Sequence, residues 1–407
     1  MNKKWLQAAI INFLIAASIG ALLRFAFVVE VPGIKYKNFL HAHSHIAMLG
    51  WVYIALYALL IHYFLPTEKQ ERPIYRRLFW LTQLSVLGMA VSFPIQGYGA
   101  ISITFSTLHI LCSYGFVRLF WRDMGRNKAI SHQWVKTALL FMVLSTIGVW
   151  AMGPIMVSGF RGSQWYYMAV QFYLHFQFNG WFIFAILALF FRLMENRSLA
   201  FPPLLMKRFY IFLLISCLLT YALAVAWAQP MLIIFIINGL GVTLQLIALW
   251  YFTRLLKVQS GQLLSSFTRI ESLLLRMAAV SFAIKIIIQA FVVLPFVAEA
   301  AYTIRNYVVG FIHLLLLGAV SGFLLAIAFR AKLLFSDRSI TRIGVFSLAL
   351  GFVLSECLLF LQGTMLWWGK GFLPQYYELL FGCSLLLPLG ILLIIPGQFG
   401  RISKHIS

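Results

Sequence analysis

Charge is scarce in this sequence, and acidic charge is scarcer still. Charged residues make up 10% of the chain, and its 407 residues include only 10 Asp and Glu against 32 Lys and Arg. Apolar residues make up 62%, and the mean hydropathy is +0.91. No water-soluble domain of this size buries so much apolar surface, so we predict that the lipid bilayer is the main solvent of the chain.

Stretches that alternate between apolar and polar residues are also missing, which argues against a transmembrane barrel. Continuous apolar runs are present instead, each close to the roughly 20 residues that cross a bilayer as an α-helix. The first run follows Met1–Lys4 and is too long for a cleaved signal peptide, so it counts as a span. We predict an all-α integral membrane fold with about twelve transmembrane helices, near residues 5–29, 40–64, 78–97, 100–121, 134–157, 165–191, 209–227, 231–252, 273–295, 302–329, 343–361 and 376–395.

The net charge of +22 does not predict nucleic-acid binding, because the charges are distributed as in a membrane protein. Most Lys and Arg residues lie near the termini or in alternate connections, such as Glu68–Arg77 and Arg118–Lys136. The opposite connections, such as Ala228–Pro230 and Gln362–Pro374, are nearly uncharged. The positive-inside rule therefore predicts a multi-pass protein of a bacterial-type inner membrane with both termini in the cytoplasm.

Motifs of soluble enzymes are absent as well. The sequence contains no evident glycine-rich phosphate loop, Ser-His-Asp arrangement or pair of catalytic carboxylates. Its four cysteines show no Cys-x-x-Cys spacing, which argues against a zinc site or a redox pair. The sequence therefore identifies no catalytic residue.

Histidine, in contrast, recurs at matching places in the predicted spans. In the second, sixth and tenth spans, His45, His175 and His313 are each followed by a glycine five residues later. These histidines are 130 and 138 residues apart, close to one third of the chain. We predict one membrane domain over residues 1–407, built as a pseudo-threefold repeat of four-helix units at about 1–133, 134–270 and 271–407.

A histidine in hydrocarbon is costly unless it is hydrogen-bonded or ligated, and imidazole is a common ligand of haem iron and copper. We therefore predict that His45, His175 and His313 bind metal or haem, the alternative for each being an interhelical hydrogen bond. On a helix, residues two apart point to nearly opposite sides and residues four apart share a face. His41 and His45 then serve one site and His43 another, unless His41 caps the helix from the loop.

Other polar residues in the spans add candidates. Arg24 and Arg305 lie near the outer ends of the first and tenth spans, where a guanidinium either pairs with haem propionates or snorkels to headgroups. Lys285 and Glu356 are buried ionisable groups that form a proton route, bind a polar ligand or pair with another charge. His109 has no counterpart in the repeat, and we predict a hydrogen-bonded structural role for it ahead of a role as a further ligand.

Twelve spans, the repeat and the histidines of the second and tenth spans together resemble the catalytic subunit of haem-copper oxidases. There, helices 2 and 10 supply both axial ligands of a low-spin haem. A second resemblance is to the NnrS family, membrane haem and copper proteins associated with nitric oxide stress. It is carried by His43-Ser44-His45 with Gly50-Trp51, and by the segment from His313 through Gly318 to Gly322.

The resemblance implies site roles for these histidines. His45 and His313 would hold one haem b between the second and tenth helices. His43 and His175 would help to bind a second metal, copper, or stabilise the first. Arg24 and Arg305 would then face the haem propionates.

The sequence also departs from the oxidase pattern. The seventh span, Phe209–Trp227, has no histidine, whereas oxidases hold copper there with a His-His pair. Asn179 stands four residues after His175 in place of a tyrosine, and Phe311 stands in place of the second histidine of helix 10. We therefore do not expect a complete oxygen-reducing centre.

We predict a haem-binding and copper-binding membrane protein that transfers electrons or handles nitric oxide or another diatomic gas; haem-dependent oxidoreductase activity stays open. Its expected partners are the lipid bilayer, a redox partner or respiratory complex, and a small diatomic ligand, but no nucleic acid. Two other classes stay open: a transporter with a polar path lined by Lys285, Glu356 and the histidines, and an accessory or assembly subunit of a respiratory complex.

Overall fold

The computed structural model of this chain describes residues 2–125, 129–199, 201–258 and 267–399, and its regular elements in these ranges are all helical. The predicted cytoplasmic C-terminal tail, residues 400–407, lies outside the described residues. Helices are the expected form because the bilayer offers backbone groups no hydrogen-bonding partners. Twelve helices are long and apolar enough to cross a membrane, and we label them α1 to α12 in chain order: Lys3–Phe25, Tyr36–Phe64, Pro73–Gln96, Ala100–Met124, Ile130–Val157, Gln164–Glu195, Pro203–Ala226, Leu232–Val258, Arg269–Phe291, Arg305–Arg330, Ser339–Trp367 and Tyr376–Gln398.

The predicted all-α fold with twelve spans is thus confirmed. Individual boundaries differ by up to six residues, as at the start of α7 and the end of α8, and an extra helix lies before α10. The predicted tenth span begins at residue 302, but the structure has a separate short helix, Pro295–Thr303, and α10 begins at Arg305. Pro295 starts the short helix, since its fixed φ and missing N–H suit a first helical turn.

The described chain forms two compact units. The first consists of Met1–Gly125, Thr268–Met277 and Ser321–Ser407, and the second of Arg126–Phe267 and Ala278–Val320. These units reflect packing and do not coincide with the three predicted repeats. The division into three four-helix repeats therefore stays a prediction.

In the first unit, α1 packs against α2 and α12, α3 against α4, and α11 against α12. Glycines let α11 and α12 approach each other closely. A Cβ atom on Gly344 would lie 2.5 Å from the carbonyl oxygen of Gly390. Any larger residue at this crossing would force the two helices apart.

In the second unit, α5 packs against α6 and α7 against α8. The fully buried indole of Trp134 is surrounded by the rings of Phe184, Phe191 and Phe209, with centroids 5.1 to 5.3 Å apart. Aromatic clusters of this kind supply much of the buried area between helices.

Carboxylates tie helix ends together on the side that the charge pattern predicts to be cytoplasmic. In the first unit, Asp123 accepts hydrogen bonds from Arg72 Nη1 at 2.5 Å and from the Tyr75 hydroxyl at 3.0 Å. In the second unit, Glu195 accepts from the backbone N–H of Ser131 at 2.9 Å and from its hydroxyl at 2.5 Å. These contacts join the end of one helix to the beginning of another.

Three helices are much more buried than the rest. In the most apolar stretches of α2, α6 and α10, 83%, 83% and 78% of the residues are buried, against 28 to 50% for the other nine helices. The same three helices carry His45, His175 and His313. The predicted ligands therefore lie on the helices that are most enclosed by protein.

Candidate functional site

A π-helical segment follows each of the three repeated histidines. In α2, α6 and α10 the α-helix changes to a π-helix at the residue directly after the histidine, so that the π segments are Ile46–Val52, Phe176–Phe182 and Leu314–Ser321. We call them the first, second and third π segments. A π-helix is rare and is found most often at functional sites. The three segments thus share a backbone conformation as well as the His-x4-Gly spacing.

Close packing accounts for the glycine in the first two π segments. A Cβ atom on Gly50 would lie 2.9 Å from Val86 Cγ1, and one on Gly180 would lie 2.5 Å from Phe141 Cγ. A neighbouring helix therefore fits directly against the widened turn. This close packing positions the π segment, and with it the histidine five residues earlier, against the neighbouring helix.

His43 and His45 face opposite sides of α2, as the spacing predicts. The ring of His43 points to α1, where its Nδ1 lies 2.8 Å from the carbonyl oxygen of Ala16. Gly20 leaves room for this ring, because a Cβ atom there would lie 2.8 Å from His43 Cε1. The ring of His45 points to α3, with its centroid 4.4 Å from that of Phe93.

The hydrogen bonds of His43 and His45 determine the tautomer of both imidazole rings. Nδ1 of His45 lies 2.8 Å from the carbonyl oxygen of His41, and a carbonyl only accepts, so Nδ1 carries the proton in both histidines. Nε2 is then left with a lone pair. Histidines that bind metals commonly donate their other ring N–H to a carbonyl in this way. Both side chains therefore fit the role of an axial haem ligand or a metal ligand.

Arg24 lies on the side of His43. It is in the last turn of α1 and interacts electrostatically with His43 and with the carboxylate of Glu356 on α11. Glu356 is buried, with 7% of its surface exposed. The structure thus groups Arg24 with His43 and Glu356 inside the first unit, whereas the sequence had paired it with His45.

His175 has protein partners on both ring nitrogens. Its Nε2 lies 2.8 Å from the carbonyl oxygen of Cys217 on α7, so Nε2 carries the proton. Its Nδ1 accepts a long hydrogen bond, 3.4 Å, from the side-chain amide of Asn179. A metal at His175 would have to replace that amide. The arrangement matches the interhelical hydrogen bond that the sequence left open, and metal binding by His175 stays a prediction.

His313 and Arg305 both belong to α10. His313 is half-buried at the end of the α-helical part of α10, directly before the third π segment, and Arg305 is exposed at the start of the helix. Lys285 on α9 is 1% exposed and interacts electrostatically with His175 and Cys217. The second unit therefore holds a polar group made of His175, Cys217 and Lys285.

His109 on α4 is a buried histidine with an unsatisfied nitrogen. It is 3% exposed and packs against Tyr53 of α2 with ring centroids 4.7 Å apart. Its Nε2 is buried and has no hydrogen-bond partner. Within the described ranges, no three or more His, Cys, Asp or Glu side chains group closely enough to hold a metal ion.

One part of the site was missed by the sequence analysis. Asn12 on α1 and Gln83 on α3 exchange side-chain hydrogen bonds of 3.0 Å in both directions, and the Asn12 amide also donates to the carbonyl of Gly50 at 2.9 Å. Both side chains are buried. The available signal was a polar residue within each apolar span, since the bilayer tolerates these only where protein pairs them.

Comparison with known proteins gives a structural match but no sequence match. No family model and no curated protein matches the sequence. Among solved structures, the chain is similar to a chain of a haem-copper terminal oxidase dimer determined by cryo-electron microscopy, with a TM-score of 0.68 and 12% sequence identity. The match covers 100% of this chain and 85% of the other. The fold is therefore similar to that of the oxidase chain, and at this identity the likeness extends to the fold alone.

Proposed function

We propose that this chain is a haem-binding, multi-pass membrane protein that transfers electrons or handles nitric oxide or another diatomic gas. The observation that carries the proposal is the histidine of α2 that faces α1. His43 presents an Nε2 lone pair, and the Arg24 guanidinium interacts electrostatically with this side chain. A neutral imidazole ligand beside a guanidinium matches what a haem iron and its propionates require.

On this proposal, His43 is the ligand on α2 that binds the haem b. The sequence favoured His45 for this role and His43 for the second metal. The electrostatic interaction of Arg24 with His43 supports the reverse, because a haem whose propionate reaches Arg24 would lie on the His43 side of the helix. His313 and Arg305 stay predicted haem-site residues, on the evidence of the sequence repeat.

The residues around His43 fix the tautomer and the position of its ring. The Ala16 carbonyl fixes the ring tautomer, and Gly20 gives the ring its place against α1. Glu356 on α11 is a buried acidic side chain within electrostatic range of Arg24. A bound haem would supply reversible one-electron chemistry, and it would offer a site to a diatomic gas only where the gas replaces a histidine ligand.

A complete oxygen-reducing oxidase is not proposed. The seventh span carries no histidine, and both ring nitrogens of His175 already have protein partners. Neither electron transfer with a redox partner nor the handling of nitric oxide, as in the NnrS family, requires a complete oxygen-reducing centre. The proposed location is a bacterial-type inner membrane with both termini in the cytoplasm.

The proposal is tested by optical spectra of the purified protein, oxidised and reduced, and then with nitric oxide or carbon monoxide. We expect a Soret band that shifts on reduction and an iron content to match. His43→Ala should lose the band, while His45→Ala and the control His62→Ala, at the other end of α2, should keep it. A wild-type protein with neither band nor iron would contradict haem binding, and loss in His45→Ala alone would return the ligand role to His45.

A further inference from the structure

The end of α3 that the charge pattern predicts to be cytoplasmic presents two neighbouring arginines. Arg76 and Arg77 lie near the start of α3, and both are exposed. Within the described ranges, neither guanidinium makes a hydrogen bond or an ion pair. Arg72, one turn earlier, is instead bound to the carboxylate of Asp123. Arg76 and Arg77 are therefore adjacent cations that no described carboxylate neutralises.

A shallow groove connects these arginines to an apolar face of α3. The groove has a volume of about 410 Å³ and is lined by Arg76, Arg77, Trp80, Leu81 and Leu84. Trp80 and Leu84 are 52% and 53% exposed, so this face of α3 is not covered by the rest of the chain. Tryptophan is typical of the level at which lipid headgroups meet the hydrocarbon. The groove thus has a cationic end at headgroup level and an apolar end deeper in the bilayer.

A second groove continues along α3, where α4 forms its far wall. Its lining includes Leu87, Gly88 and Val91 of α3 and Phe105 of α4. The ring of Phe105 lies directly on Gly88, where any Cβ atom would collide with it. From Arg77 to Gly88 the helix rises about 16 Å, close to half of the ~30 Å of hydrocarbon in a bilayer. The face from the arginines to Gly88 therefore matches the depth of one lipid leaflet.

We propose that this face of α3 binds one anionic phospholipid of the cytoplasmic leaflet. Its phosphate lies between Arg76 and Arg77, and an acyl chain runs along Leu81 and Leu84 to Gly88. Guanidinium groups suit a phosphate because their planar fork donates two parallel hydrogen bonds. Basic side chains at the membrane surface also attract anionic lipids over neutral ones. The choice of leaflet follows from the predicted topology, and the site does not depend on the proposed haem.

Charge argues against a second copy of this chain as the occupant of this face. Two copies with the same orientation in the membrane would meet about a two-fold axis along the membrane normal. Their Arg76 and Arg77 side chains would then lie at the same depth and repel one another across the contact. A lipid phosphate neutralises the arginine pair instead.

The test is native mass spectrometry of the delipidated protein in detergent, titrated with dioleoyl phosphatidylglycerol or with dioleoyl phosphatidylcholine. We expect the wild type to retain one phosphatidylglycerol, bound at least about 10-fold more tightly than phosphatidylcholine. Arg76→Gln/Arg77→Gln should remove this preference and weaken phosphatidylglycerol binding by about 10- to 30-fold. The control Arg269→Gln/Arg276→Gln removes two exposed cations from the predicted cytoplasmic end of α9 and should leave the preference unchanged.

Two further titrations of the wild type need no variant to fold. Dihexanoyl phosphatidylglycerol should bind more weakly than the dioleoyl lipid, and inorganic phosphate should not displace the lipid. Equal affinity for the two dioleoyl lipids would overturn the proposal, as would displacement by phosphate or an equal loss in the α9 control. A lipid-free dimer that the Arg76→Gln/Arg77→Gln variant dissociates would show that a second copy occupies this face.

Discussion

The side-chain amide of Asn12 donates a 2.9 Å hydrogen bond to the carbonyl oxygen of Gly50 within the first π segment. The α-helical hydrogen-bond pattern is interrupted in such a segment, so its carbonyls are open to side-chain partners. Gln83 completes the arrangement by pairing with Asn12 through both amide groups. A polar contact from α1 and α3 thus holds the backbone of α2 five residues after His45.

We expect the two hydrogen bonds between Asn12 and Gln83 to stabilise the folded protein. Asn12→Leu leaves the buried Gln83 amide unsatisfied and should lower the free energy of unfolding by about 1–3 kcal/mol, measured by SDS titration of protein in mixed micelles. The double variant Asn12→Leu/Gln83→Leu should recover part of that loss. Thr243→Ala, an exposed hydroxyl bonded within its own helix, is the control and should change stability by less than about 0.5 kcal/mol. Equal losses in all three variants would contradict the prediction.

Gly50→Ala should destabilise the protein through overpacking. The added Cβ would lie 2.9 Å from Val86 Cγ1 and 3.1 Å from Asn12 Cβ, so α3 or α1 must shift. We expect a loss of about 1–3 kcal/mol in the same unfolding assay. Gly153→Ala in α5 is a matched control, because nothing lies within 4 Å of its Cβ position. Unchanged stability in Gly50→Ala would show that the packing at the π segment is looser than described.

Gly20→Ala should disturb the proposed haem site. Its Cβ would lie 2.8 Å from His43 Cε1, and the ring is also tied to the Ala16 carbonyl, so the ring has to move. We expect a lower haem content or an altered Soret band. The spectrum of Gly153→Ala should match that of the wild type. A normal spectrum for Gly20→Ala would remove the support that this contact gives to His43.

The predicted topology can be tested in cells with alkaline phosphatase fusions, which are active only on the exported side. A fusion after Pro230, in a short and nearly uncharged connection, should be active. A fusion after Glu71, next to the basic segment that includes Arg72, Arg76 and Arg77, should be inactive, since basic connections stay in the cytoplasm. The opposite pattern of activities would invert the orientation.

Much of the fold was predictable from the sequence, because hydropathy alone selects segments that can cross a bilayer. The start of α6 at Gln164 and of α12 at Tyr376 lies within one residue of the prediction. The break at Ile304 was not predicted, because an extended residue between two apolar helices leaves no mark in a hydropathy window. The π segments were not predicted either, since their sequences are ordinary apolar runs.

The candidate site was only partly predictable. Spacing separated His43 from His45, but it did not say which side of α2 faces α1, and so it could not show that Arg24 interacts with His43. His109 ranked low because it stands outside the repeat. Its buried, unsatisfied Nε2 and its ring contact with Tyr53 exist only once α2 and α4 pack together.

The sequence by itself determined that the chain lies in a lipid bilayer, how many spans it has and where histidine recurs. These properties follow from the composition and from the spacing of residues along the chain. The tertiary structure decided which ring nitrogen each histidine leaves open and which side chains share a face. Those properties depend on helix rotation and on carbonyls from neighbouring turns and helices, such as those of Ala16 and His41.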